Sequence, residues 1–288
     1  MTVALLFQEI SYGHMKISSK AIPFLIPAIL LFLGMLLSFS EFFIHAPTYL
    51  QAAFTTVKRP VKPDFTATDR LLKAVVVKGL IDYDKVKSTP LLNQALDELA
   101  AESPDHFEKK DDVLAYWINA HNVLSIKIQA GNYGDKRAPL RSPEFRTRRF
   151  VVAGQPTSVE QIWVDKLTPL FLPPQRTKGA DPRAFLLLCR CSMGYPPMVD
   201  HAVTAETLSH DMADNTEKFL HDDGNVYYSR EKDLLVISLL FRWYANIFSH
   251  DTVSPFIFVL DQIDPDIEEE PAFDYASQFD WRINAYRK

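Results

Sequence analysis

Apolar residues recur at helical spacing in three early stretches of the chain. Between Asp69 and Lys78 they fall at Leu71, Leu72, Val75 and Val76, and between Leu91 and Ala101 at Leu92, Ala95, Leu96 and Leu99. Both patterns predict an amphipathic helix with one buried face. From Asp111 to Ala130 the apolar residues go almost all the way round, which predicts a helix buried on every side, ended by Gly131 and Asn132. Gly79 to Tyr83 reads as a break and a short extended piece. Arg149 to Trp163 reads as a strand, a turn at Gly154–Pro156 and a helix starting after Thr157 or Ser158. The run Ala184–Cys191 is continuously apolar and predicts a buried central strand. Thr204–Leu220 predicts a helix. Asn225–Tyr228 and Leu234–Ile237 predict a hairpin, and Ser238 caps a helix to Phe248. Helices come first and a small sheet later, so the expected fold is α+β: one globular domain over 66–288, with a small central sheet flanked by helices.

One segment stands apart. Ala21 to Ser40 holds twenty residues without a charge, the length that spans a hydrocarbon core of about 30 Å. Lys16 and Lys20 precede it and Glu41 follows, which orients the N-terminus inward. Residues 21–40 are therefore expected to be a signal peptide or a retained signal anchor. The apolar stretch is long for a signal peptide, and no clean small-residue cleavage site follows, which favours the anchor. Cleavage and secretion is the alternative. Met15 opens a shorter sequence with an ordinary signal-type start, making residues 1–20 a cytoplasmic N-terminus with Met15 as a possible true start. Residues 41–65 are Pro-containing and read as a linker. The expected location is outside the cytoplasm, in the periplasm or cell envelope, with the membrane as a partner through residues 21–40.

Composition narrows the chemistry. Hydrophobic residues make up 47% of the 288 and aromatics 12%, enough for a sizeable core. Thirty-one basic and 36 acidic groups leave a net charge of −5, which argues against a nucleic-acid partner. Only nine glycines are present, and neither Gly-rich phosphate-loop pattern occurs. Two cysteines, Cys189 and Cys191, form no disulfide framework and read as small core residues. His201 and His210 are nine apart, which is not the spacing of a zinc pair, so no metal and no cofactor is expected.

Six segments, in order, resemble the family known as domain of unknown function 547. Gly79 to Tyr83 (GLIDY) is similar to its "G-x-V-D-Y" element, and Leu114 to Asn122 (LAYWINAHN) to its "A-F/Y-W-I-N-x-Y-N" helix. Gly154 to Ile162 resembles its "G-x-x-x-S-L-x-x-I" turn. Asp181 to Pro197 resembles its central "R-x-H-F-x-x-x-C-x-S-x-x-C-P" region. Ser238 to Phe248 resembles "S-x-x-x-x-W-Y-x-x-D-F", and Asp280 to Asn284 (DWRIN) resembles "D-W-x-L-N". The family's His and Cys residues look like a thiol hydrolase or transferase site, since an imidazole beside a thiol is the usual activated nucleophile. Aligning Arg183 with the family arginine puts Phe185 at the His, Arg190 at the first Cys and Tyr195 at the second. Ile247 stands at the acid of the "D-F" pair, and His121 at the tyrosine of the helix motif. The expectation is a binding, non-catalytic member. The alternative is a thiol- or serine-dependent hydrolase or transferase with a rearranged site built from Cys191, Ser192, His201 and Asp280. The expected binding residues are Asn119, Asn122, Arg183, Asp280 and Asn284, for a small-molecule or protein ligand.

Overall fold

The computed structural model describes residues 61–134, 143–173, 178–249, 254–263 and 271–287. The chain clusters into two units, Met1–Lys58 and Arg59–Lys288. The first, with the expected membrane segment at 21–40, lies outside the described residues. Among the described residues no helix is long and apolar enough to cross a membrane.

The second unit is built around the helix Lys110–Asn132, in which every residue from Leu114 to Ile126 is buried. Its low amphipathicity is what the all-round apolar pattern requires: other elements cover each of its faces. Thr66–Val75 and Leu91–Ala101 pack against each other on one side. Their contact includes a charge. The carboxylate of Glu98 accepts from the backbone N–H of Ala67 (2.6 Å) and of Thr68 (2.9 Å), which satisfies orphan donors and the positive end of the Thr66–Val75 helix.

Among the described residues, strands occur in three separate small sheets. Val76–Val77 (β1) and Leu80–Ile81 (β2) form a hairpin, as do Phe150–Val152 (β3) and Gln155–Thr157 (β4). Val226–Ser229 (β5) pairs antiparallel with Leu234–Ile237 (β6), which pairs in parallel with Ala272–Tyr275 (β7). The α+β class holds, but the middle of the domain is a helix rather than a sheet.

The expected central strand at Ala184–Cys191 is a correction. Pro182–Leu187 forms a 3-10 helix whose start is capped by the Asp181 side chain, and residues 188–190 continue without sheet partners. A continuous apolar run reports burial without reporting period. Here Asp181 and Pro182 supply a cap and an N1 proline, so the backbone turns. The helix expected from Thr204 begins at Leu208, because Thr204 and Thr207 bond each other in a turn. The helix after Ser238 is split into Leu239–Trp243 and Ala245–Phe248 at Tyr244.

Candidate functional site

The β1–β2 hairpin has a two-residue turn, Lys78-Gly79, with positive φ at both residues (51° and 79°). That is the type I′ geometry that matches strand twist. The turn is seated on the loop of residues 195–203: Met198 N–H donates to the Gly79 carbonyl at 3.0 Å, and a Cβ on Gly79 would lie 2.5 Å from that of Pro197. On the other side the C-terminal segment threads between β2 and Cys191–Gly194. Ile81 N–H donates to the Asn284 carbonyl, while Met193 and Gly194 N–H donate to those of Arg282 and Asp280, each at 2.8–2.9 Å.

These three pieces and the helix Leu208–Leu220 enclose a cleft of about 560 Å³, within the range of small-ligand sites. Its walls include Leu80, Met193, Pro197, Met198 and Val199, and its polar lining includes Lys78, Ser192, His201, Asn215, Asn225 and Asn284. The Ser192 hydroxyl is buried without a hydrogen-bond partner. The residue before it, Cys191, has φ 60°, an uncommon conformation for a side chain other than glycine.

The four residues weighed as a rearranged reaction centre each have surroundings of their own. His201 lines the cleft, but Nδ1 is 2.9 Å from Asp200 Oδ1 and Nε2 is 3.0 Å from Asp211 Oδ1. Burial alone would lower its pKa; the bonds to Asp200 and the nearby charge of Asp211 outweigh burial and raise it, favouring the imidazolium. Asp280 lies against Arg282, with Oδ1 2.9 Å from Nε and Oδ2 2.5 Å from Nη2. No hydrogen bond joins Ser192, His201 and Asp280. Cys191 is buried behind the cleft lining, and burial, then its contact with Cys189, pushes its thiol pKa well up. The Cys189 sulfur accepts from the Asn284 amide at 3.2 Å and the Cys191 N–H at 3.4 Å.

Of the expected binding residues, Asn284 lines the cleft. Its Oδ1 accepts from the Tyr83 hydroxyl at 2.9 Å. Asn119 and Asn122 are spent on backbone. Asn119 donates to the Val203 carbonyl and accepts from the Val203 N–H; Asn122 donates to the Leu187 carbonyl and accepts from the Cys189 N–H. Arg183 is held in a bidentate pair with Asp181, Nε donating to Oδ1 and Nη2 to Oδ2. Lys78, Asn215 and Asn225 are cleft residues that sequence reasoning passed over. A Lys-Gly pair between two apolar pairs was the available signal for a tight turn at Lys78.

The positions aligned with the family's His and two Cys still meet at one place. The Phe185 ring centroid lies 4.5 Å from that of Tyr244, and the Tyr195 hydroxyl 3.3 Å from the Tyr244 hydroxyl. Arg190 is buried beside both phenols, with Nη2 3.7 Å from Glu160 Oε2. A ring, a guanidinium and a phenol occupy the three positions, and none is an activated nucleophile.

No curated protein and no solved structure matches the chain. Residues 104–220 match the model of the family described as protein of unknown function, DUF547. That segment runs from just before the central buried helix to the end of Leu208–Leu220 and contains Phe185, Arg190, Tyr195 and Ser192; over it, the chain is similar to the DUF547 family.

Proposed function

We propose that this chain is a non-catalytic binding protein that takes a small ligand in the cleft between the Lys78-Gly79 turn and the helix Leu208–Leu220. The occupation of both His201 nitrogens by Asp200 and Asp211 carries this reading, because a general base needs a free nitrogen within reach of the proton it removes. Two further observations support it. The N–H groups of Met193 and Gly194, which follow Ser192 and would be natural oxyanion donors, are engaged by the C-terminal segment. The family's His and Cys positions hold Phe185, Arg190 and Tyr195. The buried, unpartnered Ser192 hydroxyl favours a ligand, because an unsatisfied buried hydroxyl costs about 1–3 kcal/mol that a bound acceptor or donor would offset.

The place of action is outside the cytoplasm, with residues 21–40 as a signal anchor. The uncharged twenty-residue segment and its flanking lysines support this. A C-terminal alkaline phosphatase fusion is expected to be active, and an inactive, protease-protected fusion would overturn the assignment.

The binding reading is tested on the purified full-length chain with p-nitrophenyl acetate and with 1-anilinonaphthalene-8-sulfonate as the cleft probe. The expected result is no turnover above background, and saturable probe fluorescence that is lost in Met193→Trp, a substitution at an exposed lining residue. Turnover abolished by Ser192→Ala or Cys191→Ala would establish the hydrolase alternative, and probe binding indifferent to Met193→Trp would remove the cleft as the site.

A further inference from the structure

A second pocket, of about 360 Å³, shares no lining residue with the cleft. It lies where the helix Tyr83–Ser88, the first turn of Leu91–Ala101 and the last turn of Lys110–Asn132 come together. The buried side chains of Val86, Leu92 and Ala130 give it apolar wall. Its charged lining is Lys87, Lys127 and Arg148, and among the described residues no carboxylate lines it.

The three cations are held in place by groups that leave most of their charge in force. The Lys87 ammonium donates to the Tyr133 carbonyl at 2.9 Å and lies 5.2 Å from the Tyr133 ring centroid. The Lys127 ammonium, on a half-buried side chain, is 3.5 Å from Asn93 Oδ1. Both partners are neutral. Arg148 Nη1 lies 3.8 Å from Glu144 Oε2, and that same oxygen also accepts from the Asn132 amide at 2.8 Å. Three cations against one shared carboxylate leave an excess of about two positive charges. The two longer helices do not tip this balance. Lys110–Asn132 brings its negative end and Leu91–Ala101 its positive end, each worth about half a charge.

A pocket with two positive charges in excess selects a dianion over a monoanion or a cation. Arginine adds the planar fork that grips two oxygens of one tetrahedral group, and each ammonium can meet a third. A phosphate monoester carries close to two negative charges at neutral pH, and the apolar wall accommodates what is attached to it. We propose that this pocket binds a phosphate monoester group, held by Lys87, Lys127 and Arg148.

Isothermal titration calorimetry on the full-length chain at low salt tests this. Glycerol 3-phosphate is the soluble probe, dihexanoylphosphatidate the lipid probe and acetate the singly charged control. Glycerol 3-phosphate is expected to bind saturably, and acetate about tenfold more weakly or not at all. Lys127→Gln and Arg148→Gln are each expected to weaken phosphate binding about tenfold, the size of one charge-assisted hydrogen bond, and Lys127→Arg to retain it. Gly131 is helical and lines the pocket, with its added Cβ 3.5 Å from Arg148 Nη1, so Gly131→Leu is expected to fill the pocket and abolish binding without unfolding the chain. Lys110→Gln removes the same charge at the far end of the same helix and is expected to leave binding unchanged. Dihexanoylphosphatidate binding as tightly as glycerol 3-phosphate would identify a soluble phosphate as the ligand, and binding about tenfold tighter a lipid headgroup. The proposal is overturned if neither phosphate binds, if acetate binds as tightly, if Gly131→Leu binds like the wild type, or if Lys110→Gln loses as much as Lys127→Gln.

Discussion

His201 Nε2 lies 3.0 Å from Asp211 Oδ1, a bond that ties the loop carrying Asp200 to the helix Leu208–Leu220 across the mouth of the cleft. Asp200 holds the other ring nitrogen, so one imidazolium bridges two carboxylates.

This bridge makes stability depend on pH in a defined direction. The folded pKa of His201 is raised above its ordinary value of 6.5. The group's contribution is then fully present below about pH 6.5 and is lost as pH rises through the folded pKa. Thermal unfolding followed from about pH 6 to about pH 9 is expected to show the wild-type midpoint falling toward that of His201→Gln. A wild-type curve parallel to the variant's across that range would show that the bridge carries no such charge.

Asn119 and Asn122 act as backbone clips between the buried helix and two distant loops. Asn119→Ala would leave both the carbonyl and the N–H of Val203 without their partner. Removing one partner of a buried group costs about 1–3 kcal/mol, so urea unfolding is expected to show a loss of about 2–4 kcal/mol. A loss under about 0.5 kcal/mol would mean that the clip is not formed.

The thiols are expected to be inert in the folded chain. Cys189 and Cys191 are fully buried, and burial pushes the Cys191 thiol well above its ordinary pKa, whereas reactive thiols are accessible thiolates. Ellman's reagent should therefore react with neither until guanidinium unfolds the protein. Rapid labelling under native conditions would contradict this packing and reopen thiol chemistry.

Gly79→Ala should damage the cleft rim directly. The residue has φ 79°, and the added Cβ would meet the Pro197 Cβ at 2.5 Å. Left-handed strain alone costs about 1–2 kcal/mol, and the clash adds to it. Reduced thermal stability together with weakened binding of the cleft probe is the expected outcome, and an unchanged midpoint would show that the turn does not sit against Pro197.

Local chemistry made much of the frame readable in advance. Leu91–Ala101 and Lys110–Asn132 follow from periodicity, and the caps at Ser158 and Ser238 follow from their side-chain oxygens. The β5–β6 hairpin follows from two apolar runs around a polar turn. All of these are decided within a few residues. The run after Asp181 was not readable, because unbroken hydrophobicity demands burial under any backbone geometry, and only the packing of Phe185 against Trp163, Tyr244 and Phe248 shows which one is used.

The site divides in the same way. Ser192, His201 and Asn284 stand out in the sequence as chemical groups, but their roles are set by partners far away along the chain. Tyr83 and Asn284 are 201 residues apart, and Asn119 and Val203 are 84 apart. Residue types alone admitted a serine or thiol centre. Tertiary structure placed carboxylates on both nitrogens of His201, buried Cys191 behind the lining and set Lys78 at the rim, because hydrogen bonds act over about 3 Å of space and sequence separation does not report that distance.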